Sequence, residues 1–239
     1  MKNSLISSNL FRLHPFLEFF LILFIALGDF IVSAFKWLTI EGSGNSTVSY
    51  GNDDILNLLI YETIVLIIIV LILKWQQWSL KDFGLRFSID KITAGLVLFI
   101  SHYLMYLLLF SLFGDFFLDS EGTAGSSATI SFSTSLNILP LTLFSIFNPI
   151  FEEFILVGYI VSAMRNRFGI IACVFISMLF RVSFHIYQGP IILLSILPMG
   201  IMYAVFFWYK RSILPLVIGH GLMDFLSFFV LMTIQGNQY

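Results

Sequence analysis

The stretch Asn148-Pro149-Ile150-Phe151-Glu152-Glu153-Phe154-Ile155-Leu156-Val157-Gly158 places two adjacent carboxylates inside an apolar run of membrane-spanning length. An ionised side chain at the bilayer centre costs roughly 2.5 to 3.5 kcal/mol on insertion scales, so two in succession require partners or a water-filled cavity. The rest of the chain is sorted below by whether it supplies those partners.

The surroundings are those of a polytopic membrane protein. Of 239 residues, 59% are hydrophobic and 11% charged, and the mean hydropathy is +0.97; a soluble chain carries about 25% charged residues. With a net charge of -2 and no large basic cluster, nucleic acid is excluded as a partner. The single cysteine, Cys173, lies in an apolar run and reads as a buried structural thiol. Lys2 and Arg12 precede an apolar segment that has the outline of a signal peptide, but Glu18 and Asp29 interrupt it and further spans follow, so it reads as a retained first helix.

Apolar runs near the roughly 20 residues needed to cross a bilayer fall at 16–38, 55–74, 92–113, 135–164, 169–186, 191–209 and 213–233. The expected fold is all-α, a polytopic bundle of about seven spans forming one integral membrane domain over 1–239. Lys and Arg collect on alternate connections: Lys2 and Arg12, then Lys74, Lys81, Arg86 and Lys91, then Arg165 and Arg167, then Lys210 and Arg211. The loops between, Thr39 to Asp54 and Gly114 to Thr134, hold acidic residues and no Lys or Arg. The positive-inside tendency therefore predicts a cytoplasmic amino terminus. The segment Lys74 to Arg86, with Trp75 and Trp78, reads as an interfacial anchor, and Glu121 to Ser135 as a mobile external loop. Asn45-Ser46-Thr47 matters only where external loops are glycosylated. The lipid bilayer is one expected partner. Short connections without a targeting signal point to a bacterial cell membrane.

Ten ionisable residues lie within the spans. Glu18, Asp29, Glu62 and His102 are scattered singly and read as structural, making single interhelical hydrogen bonds. The other six are Glu152, Glu153, Arg181, His185, His220 and Asp224. Arg181 and His185 are four residues apart, as are His220 and Asp224, so each pair shares a helical face. Two imidazoles, three carboxylates and one cation are the components of a proton-transfer site, and equally of a buried polar network that locks three helices together.

Three motifs in order add a resemblance. Glu152-Glu153-Phe154-Ile155-Leu156-Val157, Arg181-Val182-Ser183-Phe184-His185 and His220-Gly221-Leu222-Met223-Asp224 resemble the Glu-Glu-x-x-x-Arg, Phe-x-x-x-His and His-x-x-x-Asn/Asp motifs of the CAAX-processing and bacteriocin-processing (CPBP, or Abi) intramembrane proteases. The likeness covers about residues 75–230, the protease-like core, and includes Lys81-Asp82-Phe83-Gly84-Leu85-Arg86 and His185-Ile186-Tyr187-Gln188-Gly189-Pro190. It implies a membrane-embedded peptidase in which Glu152 and His185 activate a water while His220 and Asp224 stabilise the oxyanion. Glu153 completes the carboxylate pair. The implied partner is a membrane peptide or protein substrate. Val157 stands where the family usually has Arg, and Arg181 where it often has Phe. Arg181 is therefore expected to supply the missing cation to Glu153 from the neighbouring helix.

The donor types also admit zinc, with Glu152, His185, His220 and Asp224 as the ligand set; without a His-Glu-x-x-His helix, a metal-independent glutamate mechanism is preferred. At about 1.5 Å of rise per residue, Glu152 and Asp224 come out roughly 20 Å from their basic flanks, His220 about 13 Å and His185 about 27 Å. Convergence thus needs the helix carrying His185 to be tilted or to start late. A non-catalytic immunity or scaffold protein of the same fold, and a proton-coupled transporter, are the competing readings.

Overall fold

The computed structural model describes residues 12–36, 39, 47–85, 87–124, 129–132 and 137–236. Its helices are α1 (Pro15–Lys36), α2 (Asn52–Trp75), α3 (Ile89–Ala124), α4 (Ile138–Glu152), α5 (Ile160–Met164), α6 (Ile170–His185), α7 (Leu193–Lys210) and α8 (Leu214–Gly236). A π-helical segment, Glu153–Tyr159, joins α4 to α5, and the three make one span, Ile138–Met164. Among the described residues seven helices are long and apolar enough to cross a membrane. The protein is a multi-pass, all-α membrane bundle. Lys2, Glu41, Asn45, Ser46, Arg86 and residues 125–128 and 133–136 lie outside the described residues, and with them parts of the charge pattern, the glycosylation motif and the external loop.

Two departures from expectation occur on the side assigned as external. α3 runs on to Ala124 rather than stopping near residue 113. Hydropathy falls at Asp115, but Asp115-Phe116-Phe117-Leu118-Asp119 contains no helix breaker, so loss of apolarity does not end the helix. A short parallel pair then forms between β1 (Thr47–Tyr50) and β2 (Thr129–Phe132), with Thr47 opposite Thr129 and Tyr50 opposite Phe132.

The Ile138–Met164 span is the centre of the bundle. In its apolar window 78% of residues are buried, against at most 39% in any other span. α4 packs on α2 and α8, α3 lies along α7 and α8, and α6 joins α7 to α1. The local sequence accounts for the irregular backbone. Pro149 has no N–H, so Ser145 loses its α-helical donor one turn back. The π turns follow at once over Glu153–Tyr159, the kind of widened helix that recurs at functional sites.

At the end expected to be cytoplasmic, the connection after α2 folds back onto the bundle. Gly84 has a left-handed φ of +63°, and a Cβ there would collide with the Arg211 carbonyl, so only glycine permits this close approach. Trp75 is exposed, as an interfacial anchor should be. Trp78 instead turns inward and donates its indole N–H to Glu18 Oε1 at 2.8 Å. Tyr159 donates its hydroxyl to the same oxygen at 3.2 Å. Glu18 is thus a structural tie between α1, this connection and the central span.

Candidate active site

Glu152 ends α4 and Glu153 opens the π segment, so the two carboxylates leave the central span in directions about 100° apart or slightly less. Arg181, one turn before the end of α6, lies between them. Its Nη1 donates to Glu152 Oε2 at 3.2 Å and its Nη2 to Glu153 Oε1 at 2.7 Å. From α8, His220 Nδ1 donates to the same Glu153 oxygen at 2.8 Å. His220 Nε2 faces Asp224 Oδ1 one turn on, at 3.4 Å. Asn148, one turn before Glu152, donates Nδ2 to Asp224 Oδ2 at 3.2 Å and closes the network back onto α4.

Arg181 and Glu153 are both 0% exposed and Glu152 6%. A guanidinium at that depth is held by its two carboxylates, because its unpaired charge would carry a desolvation cost of several kcal/mol. Charge-assisted bonds of this kind are roughly twice as strong as neutral ones. They are not shared equally. Glu153 Oε1 takes two donors at short range, the Arg181 guanidinium and the His220 imidazole, whereas Glu152 takes one at 3.2 Å.

His185 sits at the last turn of α6, where its Nδ1 lies 2.9 Å from the Arg181 carbonyl. A carbonyl only accepts, so Nδ1 carries the hydrogen and Nε2 keeps its lone pair. His185 is half-buried, packs against Phe184 at 4.4 Å between ring centroids, and lies within electrostatic reach of Glu152. The expected pairing of Arg181 with Glu153 is present, and it extends to Glu152.

Two glycines explain how α8 brings His220 so near the central span. A Cβ on Gly221 would collide with the Ser145 carbonyl, the group whose helical donor Pro149 removes. A Cβ on Gly219 would lie 2.6 Å from the Tyr203 hydroxyl of α7. The sequence Gly219-His220-Gly221 thus lets both neighbouring helices approach and fixes the imidazole between them, as small residues do at helix contacts in membranes.

Of the six residues expected to converge, five join one continuous network of contacts through Arg181, and His185 is attached to it through the Arg181 backbone. Among the described residues, the groups whose ligand atoms lie within 4.8 Å of one another are Glu152, Glu153 and His220. Two of the four expected zinc ligands, His185 and Asp224, are not in that set.

Asn148 and Glu62 complete the surroundings, and neither was singled out from sequence. Asn148 is four residues before Glu152, a spacing that marks a shared face. Glu62 of α2 was read as a solitary structural carboxylate. It is 3% exposed, its Oε2 has no hydrogen-bond partner among the described residues, and it lies within electrostatic reach of Glu152, Asp224 and His220. Only the packing of α2 on α4 brings it there, and no spacing rule connects positions 62 and 152. His102 behaves as expected, placing Nε2 3.1 Å from the Ser195 carbonyl of α7.

Residues 134–226 match the family model described as type II CAAX prenyl endopeptidase Rce1-like. The likeness to CPBP proteases read from the three motifs is borne out over this stretch. The match spans less than half of the chain but contains Glu152, Glu153, Arg181, His185, His220, Asp224 and Asn148. Glu62 and His102 lie outside it. At the level of the family, the resemblance is to peptidases that work within the membrane. Neither the curated proteins nor the solved structures provide a match.

Proposed function

We propose that this protein is a membrane-embedded endopeptidase of the CPBP type, cleaving peptide bonds in membrane-associated peptides or proteins with water as the nucleophile. The observation that carries this reading is the unequal hold on the two adjacent carboxylates. Glu153 is fixed by Arg181 and His220 through one oxygen and serves as the electrostatic anchor. Glu152 is held by one longer bond and keeps a little exposure, as a carboxylate that must accept a proton should.

In this mechanism Glu152, assisted by the free Nε2 lone pair of His185, takes a proton from a water whose oxygen bonds to the scissile carbonyl carbon. The carbonyl electrons move to oxygen. His220 meets that oxyanion by exchanging its longer contact with Asp224 for it, and the Asn148 amide keeps one N–H beyond the bond it gives Asp224; an oxyanion donor is worth roughly 3 to 4 kcal/mol. As the carbon–nitrogen bond breaks, the proton held by Glu152 passes to the departing amine. Removal of the reaction from bulk water strengthens each of these interactions.

A glutamate mechanism suits the donor set better than zinc. The Glu153 oxygen nearest the other ligand atoms already accepts from Arg181 and His220, and a dication there would stand beside a buried guanidinium. We therefore route no step through a metal. The amino terminus is proposed as cytoplasmic, the host membrane as a bacterial cell membrane, and residues 1–239 as one membrane domain with a protease core at about 75–230. The family description names prenylated CAAX peptides. Here the substrate class is proposed more broadly, as peptides whose apolar part resides in the bilayer.

Cleavage of a quenched-fluorescence membrane-peptide library by the purified protein in nanodiscs tests the proposal. Glu152→Gln and His185→Ala should each abolish turnover while leaving the protein folded. No turnover by the unsubstituted protein would favour an immunity or scaffold role, and turnover undiminished in Glu152→Gln would refute Glu152 as the base.

A further inference from the structure

At the end of the bundle opposite the β1–β2 pair, the connections after α2, α5 and α7 border an open polar pocket of about 420 Å3. Two cations line it, Arg165 and Arg211, with Gln76, Ser162 and Asp82. None of these belongs to the catalytic network.

Each guanidinium is placed by an aromatic ring, Arg165 over Trp208 at 5.3 Å and Arg211 over Phe207 at 4.6 Å. Arg211 Nη2 donates to the Asp82 carbonyl and, at 3.1 Å, to Ser162 Oγ. Its Nη1 has no partner among the described residues, nor has the amide nitrogen of Gln76, a side chain only 6% exposed. Asp82, the acidic residue of the lining, turns Oδ2 to the Ser79 N–H at 2.7 Å. Arg211 caps the end of α7 in the left-handed conformation, φ +48°, with which many helices terminate. Burial and the neighbouring Arg165 charge both lower its pKa. The Asp82 carboxylate offsets part of this charge, but with two guanidinium groups to one carboxylate the lining stays net positive and keeps unpaired donors that an anion would satisfy.

A second cavity, of about 380 Å3, adjoins the first. Trp78 lines both. This one is apolar, walled by Leu73, Phe83 and Phe154, with Lys74 and Lys81 at its edge. A polar, doubly cationic chamber and an apolar cleft meeting at one tryptophan, at the ends of membrane spans, match an amphiphile with an anionic head.

We propose that this is a binding site for an anionic phospholipid, with its phosphate between Arg165 and Arg211 and an acyl chain in the cleft beside Phe83 and Phe154. Guanidinium is the side chain best shaped for such an oxyanion. Gln76 adds a neutral donor, and the lysines at the cleft edge add long-range attraction of the kind basic residues exert at anionic leaflets.

Native mass spectrometry of the full chain in neutral detergent tests the site, using phosphatidylglycerol, phosphatidylcholine and inorganic phosphate as probes. One phosphatidylglycerol per chain should be retained, and Arg165→Gln should weaken retention about tenfold, the loss expected for one charged hydrogen bond. Arg167→Gln is the control, since that cation lies over Phe16 away from the cavity, and it should leave retention unchanged. Arg211→Gln also removes bonds to Asp82 and Ser162, so it is read only if the Arg165 variant behaves as expected. Equal losses at Arg165 and Arg167, or equal retention of phosphatidylcholine, would mean diffuse attraction and overturn the proposal. Arg165-dependent binding of inorganic phosphate that phosphatidylglycerol fails to displace would overturn the lipid assignment.

Discussion

The sharpest test concerns Arg181, the cation placed between Glu152 and Glu153 at 3.2 and 2.7 Å. Arg181→Phe removes both ion pairs and leaves two adjacent buried carboxylates facing an apolar ring. Breaking a buried pair costs about 3 to 5 kcal/mol, because the stranded charge stays desolvated. If half of that falls on the transition state, kcat/KM drops by about one to two orders of magnitude. The rest appears as a lower unfolding temperature. The cation can be returned from the central span itself. Val157 is fully buried, four residues beyond Glu153 in the π segment, so Val157→Arg in the Arg181→Phe background moves the guanidinium from α6 to the same helix as the carboxylates. The double variant holds Arg and Phe where the chain has Val and Arg, so the core gains the difference between a phenylalanine and a valine side chain, an overpacking cost of about 1 to 3 kcal/mol. It should recover most of the lost turnover and part of the lost stability. Arg181→Lys, a point charge that cannot grip two carboxylates through a planar fork, should fall between. The readouts are peptide cleavage in nanodiscs and thermal unfolding of the same preparations. Full activity in Arg181→Phe alone, or no recovery in the double variant, refutes the assignment of Arg181 as the charge that organises the pair.

Glu153→Gln should destabilise the protein by about 3 kcal/mol or more, since Arg181 and His220 both lose their short partner, while Glu152→Gln should cost stability much less; parallel thermal melts compare them. Gly221→Ala should cost about 1 to 3 kcal/mol by pushing α8 from the Ser145 carbonyl, and should reduce turnover with it. Prolonged treatment with a strong chelator should leave turnover unchanged; loss restored by zinc would replace the glutamate mechanism with a metal-dependent one.

The sequence was informative where physics makes one residue answer for its own position. A charge in a bilayer demands partners whatever the fold, so Glu152 and Glu153 announced a site, and the i,i+4 pairs Arg181/His185 and His220/Asp224 announced two faces. Span positions followed from hydropathy, with ends shifted by a few residues except at α3, which runs on to Ala124. What remained hidden depended on which helix lies against which. Glu62 has no signal of its own beyond a solitary charge, and becomes a neighbour of Glu152 only because α2 packs on α4. Trp78 has the composition of an interfacial anchor, yet the buried Glu18 acceptor draws it inward. The helix beyond Asp115 was missed because hydropathy reports where lipid ends, whereas helix ends are set by breakers and caps.

The depth mismatch at His185 also has a structural resolution. Rise arithmetic treats each span as a straight rod normal to the membrane, which would leave His185 beyond Glu152. α6 does extend past the carboxylates, since Arg181, not His185, is level with them. The imidazole is at the helix's last turn, and its Nδ1 reaches back one turn to the Arg181 carbonyl. That bond places His185 about one turn beyond the ion pair rather than within it. One residue, Arg181, therefore does two things at once: its side chain holds the carboxylates, and its backbone sets the tautomer and height of the histidine. The backbone carbonyl survives in Arg181→Phe, so the His185 bond should persist there and Val157→Arg has only the charge to restore. Recovery of most of the lost kcat in the double variant is then the expected result; a kcat that stays as low as in Arg181→Phe alone would mean that charge on the carboxylates is not what the substitution removed.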